Sequence, residues 1–287
     1  MASTKRQRKK ENQAARRAAL EAARRRQRRR RQLLTFASLT FGVLLLAVVL
    51  WFGARLVSDE EATPATTTTA PPVTLATLPP APPGRTVTGP TPCPKASGEE
   101  RATTFEQAPT PCLVEGKKYR AVFTTSKGMV KVDLDTKRTP LTTNNFVVLA
   151  RYGYYDGSSL PRTDPELAII QGGSPSQSID DPGPGYMIKD EGAPFTYTEG
   201  DLVMARGDEP DSASAQYFFS AGPGTANLNG DGSYVTFGKV VEGLDVLKEV
   251  LASHVDCPPP DPAVDTACLS GAPQPPVKVE TVVIEES

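Results

Sequence analysis

The sequence predicts a mainly β protein: a closed antiparallel barrel of one domain, capped by two helices and preceded by a single transmembrane helix. Three observations carry that expectation. Short runs of alternating polar and apolar residues, separated by Gly, Pro and Asp turns, fill the second half of the chain. Only two stretches there space their apolar residues as a helix does. One uninterrupted apolar run, 33–54, holds 22 residues and no charge. At about 1.5 Å per residue it spans a hydrocarbon core of about 30 Å.

The formal net charge of −1 over 287 residues hides a division. Residues 1–31 carry 14 Lys and Arg against Glu11 and Glu21, a charge of +12, and the remainder carries −13. A basic tail (1–32) therefore precedes the apolar run. With Arg28–Arg31 immediately before the run and Asp59, Glu60 and Glu61 after it, the positive-inside rule places the tail in the cytoplasm and the rest outside the cell membrane, in a single pass. A cleaved signal peptide is the rival reading. Its charged region would be unusually long, its apolar region exceeds the usual stretch of about 7–15 residues, and no Ala-x-Ala site follows. The tail has the composition to lie on anionic membrane lipid. It lacks the interleaved aromatics that stack on bases, which argues against nucleic acid.

Residues 55–92 read as a linker. Between 62 and 92 there are 9 Pro and 10 Thr, and Arg85 is the only charge. Such a stretch buries little and favours an extended, polyproline-like course. Residues 93–118 form a lead-in that bears Cys93 and Cys112. Cys257 and Cys268 come late in the chain, so all four cysteines lie beyond the apolar run. An even number in an oxidising compartment points to disulfides, with three possible connectivities. Local pairs, Cys93–Cys112 and Cys257–Cys268, would staple the entrance and a Pro-rich late loop. No Cys-x-x-Cys is present and His254 is the single histidine, which excludes multi-His zinc sites and zinc fingers. No metal or other cofactor is expected.

The folded body is expected over 119–287. Tyr119–Thr125 and Met129–Leu134 alternate as strands around a Ser126-Lys127-Gly128 turn. Thr139 and Pro140 suit the N-cap and first residue of a helix over Leu141–Arg151. Leu202–Arg206, Gln216–Ser220, Tyr234–Val240 and Val277–Ile284 complete the strands. Glu242–Leu251 forms the second helix, with Leu244, Leu247 and Leu251 on one face. Asn227–Gly232 has some look of a calcium loop, but its twelfth position is Gly238 where a bidentate Glu is required. Gly222-Pro223-Gly224 lacks the third glycine of a dinucleotide fingerprint.

Within this body Tyr154-Tyr155-Asp156-Gly157, Pro161-Arg162 and Ile170-Gln171-Gly172-Gly173 follow one another. Met204-Ala205, Gln216-Tyr217-Phe218-Phe219 and Tyr234-Val235-Thr236-Phe237-Gly238-Lys239-Val240 continue the series. In order and spacing this resembles the cyclophilin-type peptidyl-prolyl cis-trans isomerases over nearly all of 119–287. The resemblance implies a cyclophilin-like barrel whose outer face binds proline-containing polypeptides. It implies rotation about X–Pro bonds, with Arg162 as donor to the prolyl nitrogen; together with the apolar run that places the domain outside the membrane, the expected substrates are exported or cell-envelope proteins. Gln171 and Gln216 match the two groove glutamines that join the arginine in catalysis. The substrate-binding positions are Leu167, Ala168, Ile169, Met204, Ala205, Phe218, Leu228 and Tyr234.

The chemistry needs neither nucleophile nor cofactor. The amide barrier is about 20 kcal/mol because the nitrogen lone pair is shared with the carbonyl, and each 1.36 kcal/mol removed gives about tenfold in rate. A permanently charged, forked donor beside an apolar slot suits that task. The chain departs from the family in the slot. Leu167 or Ala168, with Ile169, replace its Phe and Met; Tyr234 replaces its His; Arg206-Gly207 stands for Asn-Ala; and Asn227 aligns near its Trp, leaving Trp51 as the chain's single tryptophan. A smaller, less aromatic slot holds proline more weakly and argues against tight cyclosporin binding. The alternative reading is therefore a catalytically weak or inactive peptide-binding or scaffolding module. Oligomeric state is not legible.

Overall fold

The computed structural model describes residues 75–230, 232–258 and 269–287. The basic tail and the apolar run 33–54 lie outside these residues, as does Cys268. Among the described residues no helix is long and apolar enough to cross a membrane.

Order begins upstream of Tyr119. Arg85–Val87 (β1) pairs in parallel with Ala102–Phe105 (β2), and Val87, Ala102 and Phe105 are buried. Pro-rich composition concealed β1, because Pro82 and Pro83 end just before a Thr-Val pair that meets a pairing partner. Cys93 and Cys112 form a disulfide across 19 residues of sequence separation, one of the two local pairings. Buried Asn144 ties the same segment down, accepting from Cys112 N at 2.7 Å and donating to Thr110 O at 3.0 Å. Cys257 is also disulfide-bonded. Closing a loop of this size removes unfolded-state entropy worth about 3 kcal/mol. The double variant Cys93→Ser, Cys112→Ser should therefore lose about that much in a denaturant titration against the oxidised parent, and an unchanged midpoint would refute the staple's role.

The hairpin comes next, β3 (Tyr119–Thr125) and β4 (Gly128–Leu134), with burial alternating along β3 as the sequence pattern requires. Helix α1 (Pro140–Arg151) has Pro at its first position, but Thr139 does not cap it. The Thr139 hydroxyl turns back to donate to Asp135 O at 3.0 Å. Glu191, from a distant loop, accepts from Leu141 N at 3.2 Å and Thr142 N at 2.6 Å, which satisfies the two first-turn amides that follow Pro140 and places a negative charge at the positive helix end.

Arg162–Asp164 (β5), Ile169–Gly172 (β6), Asp201–Met204 (β7), Tyr217–Ser220 (β8) and Thr236–Glu242 (β9) follow. A 3-10 turn over Pro223–Leu228 separates β8 from β9. Helix α2 (Leu244–Ala252) starts two residues later than the apolar spacing suggests, because Gly243 sits at φ +86 and breaks the helical path. A Cβ there would lie 2.1 Å from Met129 O, so only glycine fits. His254–Asp256 (β10) and Gly271–Pro273 (β11) pair antiparallel as a separate arm, and Val279–Glu286 (β12) ends the sheet.

Eight strands form one curled antiparallel sheet in the order β12-β3-β4-β9-β7-β8-β6-β5. The expected closed barrel is corrected to a half-barrel whose ladder is open between β5 and β12. At that seam Gly157 N donates to Val279 O, Val279 N to Ser158 O and Leu160 N to Val277 O, with one isolated bridge, Ser159–Lys278. Ladder pairing fails there because the seam's inner strand is the turn-bound stretch 157–160 that feeds β5. Inside the curl, Phe146 of α1 stacks on Tyr155 with centroids 4.9 Å apart, and Phe123, Tyr217, Phe219 and Phe237 pack around them. Aromatic pairs at these distances add stabilisation beyond the area they bury.

Candidate active site

β5 and β6 are joined by a tight turn, Pro165–Ala168, in which Ala168 N donates to Pro165 O at 3.3 Å and Ala168 takes φ +52. The turn folds against Gly222–Thr225: Thr225 Oγ1 donates to Leu167 O at 2.8 Å, and Ala221 N to Ala168 O at 2.8 Å. Gly224 permits that approach, since a Cβ on it would meet Glu166 O at 2.3 Å. Neither strand was legible from alternation, for each has only three or four residues and Pro165 interrupts them.

The register then sets one row of side chains across three strands. Arg162 lies opposite Gln171, and Gln171 opposite Phe218. Directly opposed residues share a face, so all three project from the same side of the sheet. Arg162 Nη1 donates to Gln171 Oε1 at 2.9 Å, Gln171 Nε2 to Gln216 Oε1 at 2.8 Å, and Gln216 Nε2 to Ile179 O at 2.9 Å. Each amide accepts on one atom and donates on the other, so the relay runs one way and fixes the guanidinium plane. The three polar residues singled out in the sequence are thus brought together.

The apolar positions divide. Ile169 shares the face of Gln171, two residues along β6. Phe218 meets the Tyr234 ring edge-on, with centroids 5.9 Å apart. Tyr197 fixes Tyr234 from behind: its hydroxyl accepts from Tyr234 N at 2.8 Å and donates to Tyr234 O at 3.1 Å. The Arg206 guanidinium lies 5.4 Å from the Tyr234 centroid, a cation over the ring. Leu167, Ala205 and Leu228 are part-buried at the edge of the core. Met204 goes elsewhere. It pairs with Tyr217, whose ring belongs to the interior aromatic cluster, and only 1% of it is exposed, so it backs the groove from inside. Val203, opposite Phe218, holds the groove-side position on β7. A strict alternation count from Ala205 finds Val203, which a motif reading passes over.

Two charged or polar neighbours of Arg162 were missed as well. Arg162 Nη2 lies 3.3 Å from Asp164 Oδ2 and 3.3 Å from Ser270 Oγ, and Ser270 Oγ donates to Asp164 Oδ2 at 2.8 Å. Burial pushes the Asp164 carboxyl up, but the Leu167 amide, the Ser270 hydroxyl and the Arg162 guanidinium together outweigh it and hold it below the ordinary carboxylate range. Arg162 Nε is buried without a hydrogen-bond partner. Asp164 was findable from the i, i+2 spacing on a strand; Ser270, more than a hundred residues away, carries no local signal.

A cavity of about 940 Å³ is lined by Lys118, Arg120, Asp133, Lys239 and Glu286 among others, and none of its lining residues belongs to this row. The row lies instead on the outer face of the sheet.

A model of the cyclophilin type peptidyl-prolyl cis-trans isomerase/CLD family matches residues 120–282. A peptidyl-prolyl cis-trans isomerase of Acinetobacter baylyi is 31% identical over 130 residues, which is 44% of this chain and 68% of that protein. Peptidyl-prolyl cis-trans isomerase B of Bacillus subtilis is 37% identical over 123 residues, 42% of this chain and 82% of that protein. Among solved structures, a cyclophilin type peptidyl-prolyl cis-trans isomerase of Cryptosporidium parvum aligns at 26% identity with a TM-score of 0.48, covering 58% of this chain and 98% of that chain. With more than half of its length matched by the family model, the chain belongs to the cyclophilin-type peptidyl-prolyl cis-trans isomerases.

Proposed function

We propose that the isomerase acts on X–Pro bonds of exported or cell-envelope polypeptides, from a domain held outside the cell membrane by the apolar run 33–54. The single observation that carries the catalytic part is the relay from Arg162 through Gln171 to Gln216. As the amide twists, its resonance is lost and the prolyl nitrogen regains a basic lone pair. A guanidinium N–H aimed at that nitrogen is stronger in the transition state than in the ground state, so it lowers the barrier rather than tightening binding alone. Gln171 and Gln216, also catalytic in this reading, hold the fork in plane, and their outward faces offer hydrogen bonds to substrate backbone.

The proline ring takes the slot formed by Ile169, Phe218, Leu228 and Tyr234, with Leu167, Ala168 and Ala205 at its margin. Leu and Ile in place of larger groups make that slot shallower, so weak binding and modest turnover are expected. The location outside the membrane is supported by the charge asymmetry about the apolar run and by the Cys93–Cys112 disulfide, a bond at home in an oxidising compartment. The basic tail is then left to contact anionic lipid on the inner side.

The test is the cis-to-trans relaxation of a short X–Pro peptide with the oxidised full chain. Acceleration proportional to protein concentration supports the reading. No acceleration, with amide shifts in Phe218 and Tyr234 on adding the peptide, replaces it by a peptide-binding module.

A further inference from the structure

The arm formed by β10 and β11 stands beside β5, an edge strand of the sheet. It docks on both sides of that strand. Thr163, fully buried between Arg162 and Asp164, lies 2.8 Å through its hydroxyl from His254 Nδ1, and His254 Nε2 lies 3.0 Å from Asp256 Oδ1. A carboxylate only accepts, so His254 Nε2 carries a proton, and in the neutral ring Nδ1 then accepts from Thr163. On the groove side, Ser270 reaches Arg162 and Asp164 together. Ser270 takes φ +70, a conformation that serine adopts at a cost, and its hydroxyl accepts from Arg162 Nη2 while donating to Asp164 Oδ2.

The two oxygens of Asp164 have separate tasks. Oδ1 accepts from Leu167 N at 3.1 Å and closes the turn after β5. Oδ2 receives both Ser270 Oγ and Arg162 Nη2 and has no share in the turn. Arg162 and Asp164 side chains are only 15% and 14% exposed. At such burial a charged hydrogen bond restricts the fork more than it would in water. Gln171 fixes Nη1 and the Asp164–Ser270 pair fixes Nη2, so the guanidinium is held at both tips and its rotation about Nε–Cζ is blocked.

We propose that Asp164 and Ser270 are positioning residues for Arg162, making the β10–β11 arm a working part of the isomerase site. The inference rests on the reading of Arg162 as the donor. It predicts that the arm acts on turnover and leaves peptide affinity alone, because neither residue lies in the apolar slot.

The variants are made in the full, oxidised chain. Ser270→Gly is the cleaner one, since glycine accepts φ +70 without strain and the change removes only the short hydroxymethyl group. Asp164→Asn keeps a single acceptor oxygen, so either the turn or the clamp loses its partner. Expected are a fall in kcat of about threefold to tenfold for Ser270→Gly with KM unchanged, and a fall of about tenfold or more for Asp164→Asn, whose KM rises as well if the turn bearing Leu167 is what loses its partner. The unfolding midpoint of Ser270→Gly should stay level or rise, which separates positioning from damage to the fold. In nitrogen-resolved NMR spectra the Arg162 Nη signals, split in the parent by slow rotation, should merge in Ser270→Gly. In an Arg162→Ala background, Ser270→Gly should change nothing further.

If Arg162→Ala cripples the enzyme while Ser270→Gly and Asp164→Asn turn over like the parent, the positioning inference falls and the donor assignment stands. If Arg162→Ala itself has full activity, the donor assignment falls first. Faster turnover in either clamp variant also overturns the inference, because the carboxylate would then be weakening the donor.

Discussion

Arg162→Ala is expected to lower kcat/KM for an X–Pro peptide by about 10²–10³-fold, the usual loss when a preorganised transition-state donor is removed. Stability should move by no more than about 1 kcal/mol, because Asp164 Oδ2 keeps the Ser270 hydroxyl and its Oδ1 keeps the Leu167 amide. Arg162→Lys should recover little. A single ammonium cannot reach Gln171 Oε1 and Asp164 Oδ2 at once, and it lacks the planar fork that the two partners grip. The measurement is a pair of relaxation assays with folding verified by circular dichroism. A lysine variant equal to the parent would show that charge alone suffices and that the fork geometry is idle.

Glu286→Gln carries the largest expected effect on stability. Arg151, in the last turn of α1, is 6% exposed in its side chain and pairs with Glu286, itself 14% exposed. Lys117 Nζ adds a second contact to Glu286 at 2.5 Å. Removing the carboxylate leaves a guanidinium buried without its counter-charge, a loss of about 3 kcal/mol or more. The pH dependence follows from the direction of the shift. The Lys117 hydrogen bond and the Arg151 guanidinium, acting against burial, hold the Glu286 carboxyl below the ordinary glutamate range. A depressed carboxyl contributes stability that is complete above its unfolded value, about 4.3, and is lost as the pH falls through the lower folded value. Denaturant midpoints of parent and variant should therefore differ at pH 7 and converge in acid. A gap that persists unchanged at pH 3 would contradict the assignment.

How much could be read beforehand depended on what each element had to satisfy. Tyr119–Thr125 was legible residue for residue because one face of β3 is core and the other is not. The two helices were legible by spacing, and the start of α1 at Thr139–Pro140 was legible too, although Glu191 supplies the bonds that the Thr139 side chain does not make; the start of α2 was not, because Gly243 delays it through a close approach to Met129 that no local pattern reveals. β1, β5, β6, β10 and β11 escaped because strands of three or four residues are made by their partners rather than by their own propensity. In the candidate site, Arg162, Gln171, Gln216 and Phe218 were singled out through resemblance; hydrogen bonds join the first three, and the register sets Phe218 opposite Gln171. Met204 was misplaced because neighbours on a strand face opposite ways, and a motif does not say which of two adjacent residues looks outward. Ser270 depends on the docking of an arm and had no trace in the sequence around it.

The pairing of β12 with β3 has a consequence in time. β12 pairs with β3 along seven positions, Val279 to Glu286 against Tyr119 to Thr125, although about 160 residues separate the partners. Until the last strand arrives, β3 presents an unpaired edge of alternating apolar residues, the kind of edge that recruits other chains. The fold is thus dominated by contacts distant along the chain, which places its assembly toward the slow end for domains, on the order of milliseconds to seconds. A prolyl isomerase is itself built so that the first strand of its main sheet waits for the last.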